Sequence, residues 1–345
     1  MRVLLPFLLV ACKAPEDPAD PASSSSPGDD DGTTPVEDTE STSDPSTETG
    51  TPSTPDTGGT TIPTVEVDCS ALLPAPLDYT RYDWVSGSED FTFDADGYLI
   101  QVTGGGLKRT PYGGPAELLV PLDADVRGTR ILPDGRVVLA TSQNGTLLAV
   151  DPVTGSQVPL ASGLTNPNGV AIGADGRVYV ATTGRILRVD PVGGDVEVVA
   201  DLPGNSFDGL TFSPDYTRLY FDEEFGQIHY VDFDADGNPG TPRLGATIPL
   251  GGGGLGIFVL DGMAADACGN LYVVQMSGTI WRVRVDDGTV EELVNFDGLA
   301  TIPAANFGIA PGAGWNPTSL YVITFTGAVY EVDVGVPGKW EPHLP

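Results

Sequence analysis

From Ser88 onward the hydrophobic residues fall into short runs rich in Val, Ile and Tyr, each closed by Gly, Pro or Asp. The stretch from Gly169 shows the unit best. Gly169-Val-Ala-Ile-Gly is followed by the turn Ala174-Asp-Gly-Arg and by Val178-Tyr-Val-Ala-Thr. Then come Arg185-Ile-Leu-Arg-Val-Asp, the turn Pro191-Val-Gly-Gly and Asp195-Val-Glu-Val-Val-Ala. β-Branched and aromatic residues suit a pleated surface, while Asp-Gly and Gly-Gly reverse the chain. No amphipathic stretch of helical length separates the runs, so the pattern predicts an all-β chain.

The unit recurs. Leu99, Val137, Val178, Leu219, Leu271 and Leu320 each open the strand after a turn, at intervals of 38, 41, 41, 52 and 49 residues. Four strands per unit at a period near 40 predict a six-bladed β-propeller, in which each small twisted sheet covers its neighbour's face. Residues from about Thr64 to Val85 precede the first inner strand and are expected to complete the last blade. One or two β-sandwiches are the alternative, but they would not repeat one turn at one phase.

The ends read differently. Met1–Ala11 is one Arg followed by an apolar run too short to span a bilayer. It ends at Leu9-Val10-Ala11-Cys12, which resembles the lipobox of bacterial lipoproteins, where the cysteine is acylated and becomes the new N-terminus. An ordinary signal peptide is the plainer alternative. Residues 13–64 are mostly Ser, Thr, Pro, Gly and acidic residues with almost no large apolar side chain, and carry twelve carboxylates against Lys13. Such a segment cannot bury enough apolar surface to offset its ordering entropy, so a disordered tether is expected. The organisation expected is therefore a signal peptide with Cys12 over 1–12, a tether over 13–64 and a propeller over 65–345. The implied address is the bacterial cell envelope, with membrane contact only through the lipid. Cys69 and Cys268 remain: one disulfide in an exported protein, or two separate buried thiols.

Composition narrows the chemistry. Forty-eight acidic against 16 basic residues give a formal charge of -32, which argues against a nucleic-acid partner. Two histidines, His229 and His343, exclude multi-histidine zinc sites, and neither a G-x-S-x-G elbow nor a P-loop occurs. Oxygen ligands and carboxylate chemistry remain.

Eight positions before successive turn glycines stand Glu89, Arg127, Asn168 and Asp261; Asp208 and Asn306 are aligned with them in blades four and six. At the entry to the innermost strands these six would face one another at one mouth of the tunnel. Crowded carboxylates repel, and Arg127 with a divalent cation would offset them. Oxygen donors favour calcium, with magnesium, manganese or zinc as alternatives. The plainer reading is that Asp-Gly and Asn-Gly only turn the chain.

These segments carry a resemblance. Glu89-Asp-Phe-Thr-Phe-Asp-Ala-Asp-Gly, Asn168-Gly-Val-Ala-Ile-Gly-Ala-Asp-Gly-Arg, Asp208-Gly-Leu-Thr-Phe-Ser-Pro-Asp and Asp261-Gly-Met-Ala-Ala-Asp-Ala-Cys-Gly-Asn-Leu-Tyr-Val resemble the gluconolactonase and regucalcin-like propellers. The resemblance covers about Ser88 to Pro337. It implies one divalent metal held by Glu89, Asn168, Asp208 and Asp261, with an aspartate at 208 where the family has asparagine. It also implies hydrolysis of a small substrate such as a sugar lactone. Asp261 would then act as base, and Arg127 would orient the substrate or neutralise Glu89. Asn166 stands where catalytic members often carry a basic residue. A non-catalytic propeller, with a structural metal and a face for a ligand or an unknown protein, is the competing expectation.

Other motifs are weaker. Asp232-Phe-Asp234-Ala-Asp236-Gly237 begins like a calcium loop, but its twelfth position is Arg243, so a hairpin turn is expected. Gly251–Gly256 has no following lysine or helix and is read as a mobile lid over the mouth. Tyr179, Tyr220, Tyr272, Trp281 and Tyr321 read as packing between blades, and His229 as structural or exposed.

Overall fold

A computed structural model describes residues 62, 63, 65–250, 259–296, 301–309 and 313–345. Cys12, the rest of segment 1–61, Thr64 and Gly251–Gly256 lie outside the described residues. The described strands form six antiparallel four-stranded sheets, and no α-helix occurs among the described residues. The molecule is a six-bladed β-propeller.

Inner to outer, blade 1 is Phe91–Phe93, Leu99–Val102, Gly106–Thr110 and Glu117–Pro121. Blade 2 is Val126–Ile131, Val137–Thr141, Thr146–Val150 and Gln157–Ser162. Blade 3 is Val170–Ile172, Val178–Thr182, Arg185–Val189 and Val196–Asp201. Blade 4 is Phe207–Phe212, Arg218–Glu223, Gln227–Asp232 and Arg243–Thr247. Blade 5 is Leu260–Ala265, Leu271–Gln275, Thr279–Arg284 and Thr289–Asn295. Blade 6 has Ala304–Phe307, Ser319–Ile323 and Val329–Asp333, and its outer strand is Thr80–Tyr82, from the other end of the chain.

The second strand of each blade explains why the sheets stack. Val137–Thr141, Val178–Thr182, Leu271–Gln275 and Ser319–Ile323 are buried at every position, because both of their faces meet apolar side chains. Leu132, Val138 and Ala140 of blade 2 thus pack with Val170 and Val178 of blade 3. The aromatics serve the same contacts. Tyr179 meets Phe212 edge-on at 4.9 Å, Tyr272 meets Phe307 at 5.2 Å, and Tyr321 of blade 6 lies 5.9 Å from Phe93 of blade 1.

Closure rests on side chains distant in sequence. Thr80–Tyr82 pairs with Val329–Glu331, and Glu331 accepts hydrogen bonds from Tyr82 (3.0 Å), Tyr321 (2.9 Å) and Ser319 (3.0 Å). Tyr112 of blade 1 donates to the Tyr82 hydroxyl at 2.6 Å. Cys69 and Cys268 form a disulfide that ties the entering chain to the first turn of blade 5. The Asp232–Gly237 motif is a turn: Asp234 Oδ1 accepts the backbone N–H groups of Asp236 and Asn238. His229 is buried and stacks on Phe221 at 5.7 Å.

Candidate functional site

Strand pairing fixes which residues are equivalent. Phe93, Ile131, Ile172, Phe212, Ala265 and Phe307 pair with Leu99, Val137, Val178, Leu219, Leu271 and Leu320 of their second strands. Four positions earlier stand Glu89, Arg127, Asn168, Asp208, Asp261 and Pro303. The sixth ring position is therefore Pro303, and Asn306 is corrected out of the ring. Asn306 sits three residues further along its strand, and its Nδ2 donates to the Phe91 carbonyl at 3.3 Å. The connection from Phe307 to Ser319 is longer than the first turns of the other blades, so its glycines do not keep their spacing, and Asn306-Phe-Gly imitates the motif further along the strand.

The register itself aims these side chains. The pairing of inner and second strands breaks between Val126 and Gly128, Phe207 and Leu210, and Leu260 and Met263. Arg127, Asp208 and Asp261 lie in these breaks, where an interrupted ladder redirects a side chain. The glycines that follow allow the strands to converge on the axis. A Cβ on Gly169 would overlap the Asp208 carbonyl oxygen, and one on Gly209 would stand 2.5 Å from that of Asp261.

Glu89, Arg127, Asp208, Asp261 and Pro303 line one cavity of about 10 Å³, room for a single water-sized guest. Gly169, the neighbour of Asn168, contributes its wall. Arg127 Nη1 donates to Glu89 Oε1 at 2.9 Å, and its Nε lies 3.5 Å from Asp125. The guanidinium thus sets a positive charge against Glu89 and Asp125. Asp261 Oδ2 and Asn168 Oδ1 are buried without a hydrogen-bond partner. Asn166 has φ 52° and accepts a hydrogen bond from Ser142 in the connecting loop.

Two carboxylates absent from the sequence expectations support the ring. Asp222 Oδ1 accepts the N–H groups of Asp208 (3.3 Å) and Gly209 (3.1 Å), while its Oδ2 is buried and unpartnered. It occupies a position that is Ala140, Ala181, Val274 or Ile323 in other blades, so a lone acid in an aliphatic column was its sequence signal. Asp90 stands where other blades have Gly128, Gly169, Gly209 or Gly262. It accepts the Thr129 N–H at 2.7 Å and Arg130 Nη1 at 2.8 Å.

Electrostatics follow from this crowding. Burial, and next the charges of Glu89 and Glu224, push Asp208 up to about 8. Burial and the neighbouring Asp208 raise both Asp222 and Asp261 well above the ordinary carboxylate range. Glu89 is raised by burial against the opposing pull of Arg127. Among the described residues no three or more His, Cys, Asp or Glu side chains are gathered closely enough to form a ready metal cluster. The donor chemistry still fits a hard cation: the space for one guest is lined by carboxylate oxygens, Asp261 Oδ2 being buried and unpartnered, and Asn168 Oδ1 is unpartnered next to the Gly169 wall.

The sequence model of the SMP-30/Gluconolactonase/LRE-like region matches residues 122–325, more than half of the chain. A search of curated proteins finds no match. Among solved structures, a gluconolactonase from Xanthomonas campestris is 19% identical over 74% of this chain and 88% of its own, with a TM-score of 0.59. Regucalcin from Agrobacterium tumefaciens, a calcium-binding protein, is 19% identical over 78% of this chain and 98% of its own, at 0.59. A luciferin-regenerating enzyme is 17% identical over 76% and 96%, at 0.61. At these identities the solved structures attest the fold alone, whereas the sequence match extends through the segments that place Arg127, Asn168, Asp208 and Asp261. The chain belongs to the SMP-30/gluconolactonase/LRE-like family.

Proposed function

We propose that the acidic mouth binds one divalent cation, calcium before magnesium, manganese or zinc, and that the protein hydrolyses a small lactone there. The observation that carries this reading is the set of buried oxygens on Asn168 and Asp261 left without partners beside the raised carboxyls of Asp208 and Asp261. Buried polar atoms cost free energy unless paired, and crowded carboxyls that hold their protons above the ordinary range would release them to a positive guest. Glu89, Asn168, Asp208 and Asp261 would hold it.

A bound cation would supply Lewis-acid polarisation of the lactone carbonyl. Asp261, with its raised affinity for protons, takes one proton from the attacking water as the water oxygen bonds to the carbonyl carbon. The ring C–O bond then breaks, and that proton passes to the departing alkoxide to leave a hydroxy acid. Arg127 holds Glu89 in place beside the cavity.

Calorimetric titration of the purified chain with each cation, followed by a panel of sugar lactones, tests both steps. Cation binding and turnover should be lost together in Asp261→Ala. Tight binding with no turnover on any lactone favours the second reading, a non-catalytic propeller with a structural metal. The small cavity and the Arg127–Glu89 pair beside it favour that reading.

Cys12 is proposed to anchor the chain to the cell envelope through a lipid. Palmitate labelling in a bacterial host should disappear in Cys12→Ala; persistence of the label would refute the anchor.

A further inference from the structure

The geometry points to a second ligand site at the opposite end of the tunnel, built for a neutral, largely apolar small molecule that carries one hydrogen-bond acceptor. The far ends of the inner strands, the first turns of blades 4 to 6 and residues Ile62, Pro63, Val65 and Val67 surround a cavity of about 590 Å³, within the range of small-molecule sites. Phe93, Leu210, Thr211, Met263, Ala264 and Trp340 are among its walls. Arg130, Leu210 and Met263 also line the small acidic cavity, so they form the partition between the two.

The cap is the C-terminal segment, and it is held in place by several bonds. Lys339 N–H donates to the Ala265 carbonyl at 3.1 Å, the Tyr216 hydroxyl donates to the Trp340 carbonyl at 2.7 Å, and His343 Nε2 lies 2.8 Å from the Phe93 carbonyl.

Charge balance selects the ligand. The two cations on the wall, Arg130 and Lys339, already face carboxylates, and the Asp215 carboxylate is exposed to solvent rather than turned inward alone. Arg130 meets Asp90 at 2.8 Å, and the buried Lys339 ammonium meets Glu341 at 2.7 Å and the Tyr216 hydroxyl at 2.9 Å. Asp215 takes the hydroxyls of Ser213 and Thr217. A charged guest would lose its hydration without gaining a counter-charge, whereas a neutral one meets no such penalty. Among the described lining residues Trp340 keeps a buried donor, its Nε1–H, without an acceptor. That group asks for a ketone, ether or ester oxygen.

The test uses the full chain in the presence of a chelator, which keeps it independent of any cation at the acidic mouth. Two neutral fluorophores serve as probes: 6-propionyl-2-dimethylaminonaphthalene, which has a carbonyl, and N-phenyl-1-naphthylamine, which has none. Anilinonaphthalene sulfonate is the charged comparison. Saturable binding of the ketone with blue-shifted emission is expected, and the sulfonate should bind more weakly. Trp340→Phe should weaken the ketone about tenfold and leave the amine unchanged. Ala264→Phe should weaken both neutral probes by filling the space, provided its melting curve shows a folded protein; if it does not fold, the Trp340→Phe contrast decides alone. Unsaturable binding, equal affinity for the sulfonate, or ketone affinity unchanged in Trp340→Phe would overturn the proposal.

Discussion

Asp208, Asp222 and Asp261 show how one residue type acquires three duties from its place. Asp222 holds two backbone N–H groups, Asp261 leaves an oxygen unpartnered, and Asp208 lies beside both. Each has a folded pKa above its unfolded value, through burial first and then through the charges of neighbouring carboxylates. The native state therefore holds more protons than the unfolded chain above about pH 4, where free carboxyls ionise. Stability of the cation-free protein should fall as pH rises through that window toward about 8, where Asp208 gives up its proton. Melting temperatures between pH 5 and 9 in chelator should show this decline, and saturating calcium at pH 8 should reverse it by mass action. An unchanged melting temperature across that range would contradict the account. Glu89, Arg127, Asn168, Asp208 and Asp261 were legible because each stands a fixed distance before a turn or an Asp-Gly step. Asp90 and Asp222 were not, because their importance comes from backbone groups that the fold brings to them.

The working element is the inner strand with its broken register. The ring residue stands at its entry, and in blades 2 to 5 the glycine that follows gives room for the next blade's carbonyl. Gly169→Ala would force its Cβ against the Asp208 backbone, which cannot retreat without moving the ring. A loss of about 1–3 kcal/mol is expected from such overpacking. Urea unfolding should report it, together with weakened cation binding; a neutral effect would show that the inner strands are looser than described. The same element explains the error over Asn306. A count back from the first turn works where that turn is short and slips in blade 6, whose longer connection leaves only strand pairing to identify Pro303.

Over the whole molecule, closure decides stability. A ring of sheets held by nearest-neighbour contacts opens at its weakest seam. Here the seam is shut by Thr80–Tyr82 on blade 6, by the hydroxyls gathered on Glu331, and by the disulfide spanning 199 residues of sequence. Cross-linking so long a loop restricts the unfolded chain, and losing it should cost about 2–5 kcal/mol. Denaturant midpoints of the Cys69→Ala, Cys268→Ala double variant should fall accordingly, while the wild-type chain in reductant should shift by the same amount. If the midpoint stays put, the seam is held by the strand and Glu331 alone.

Period and alternation along the chain sufficed for the all-β class, the six blades and the borrowed outer strand, because each blade must bury the same faces and so repeats the same residues. The tertiary structure alone decided which oxygens lack partners, that Pro303 completes the ring, and that the C-terminal segment roofs a large apolar cavity. Those outcomes depend on groups far apart in sequence meeting at one axis, and no local pattern encodes the distance between them.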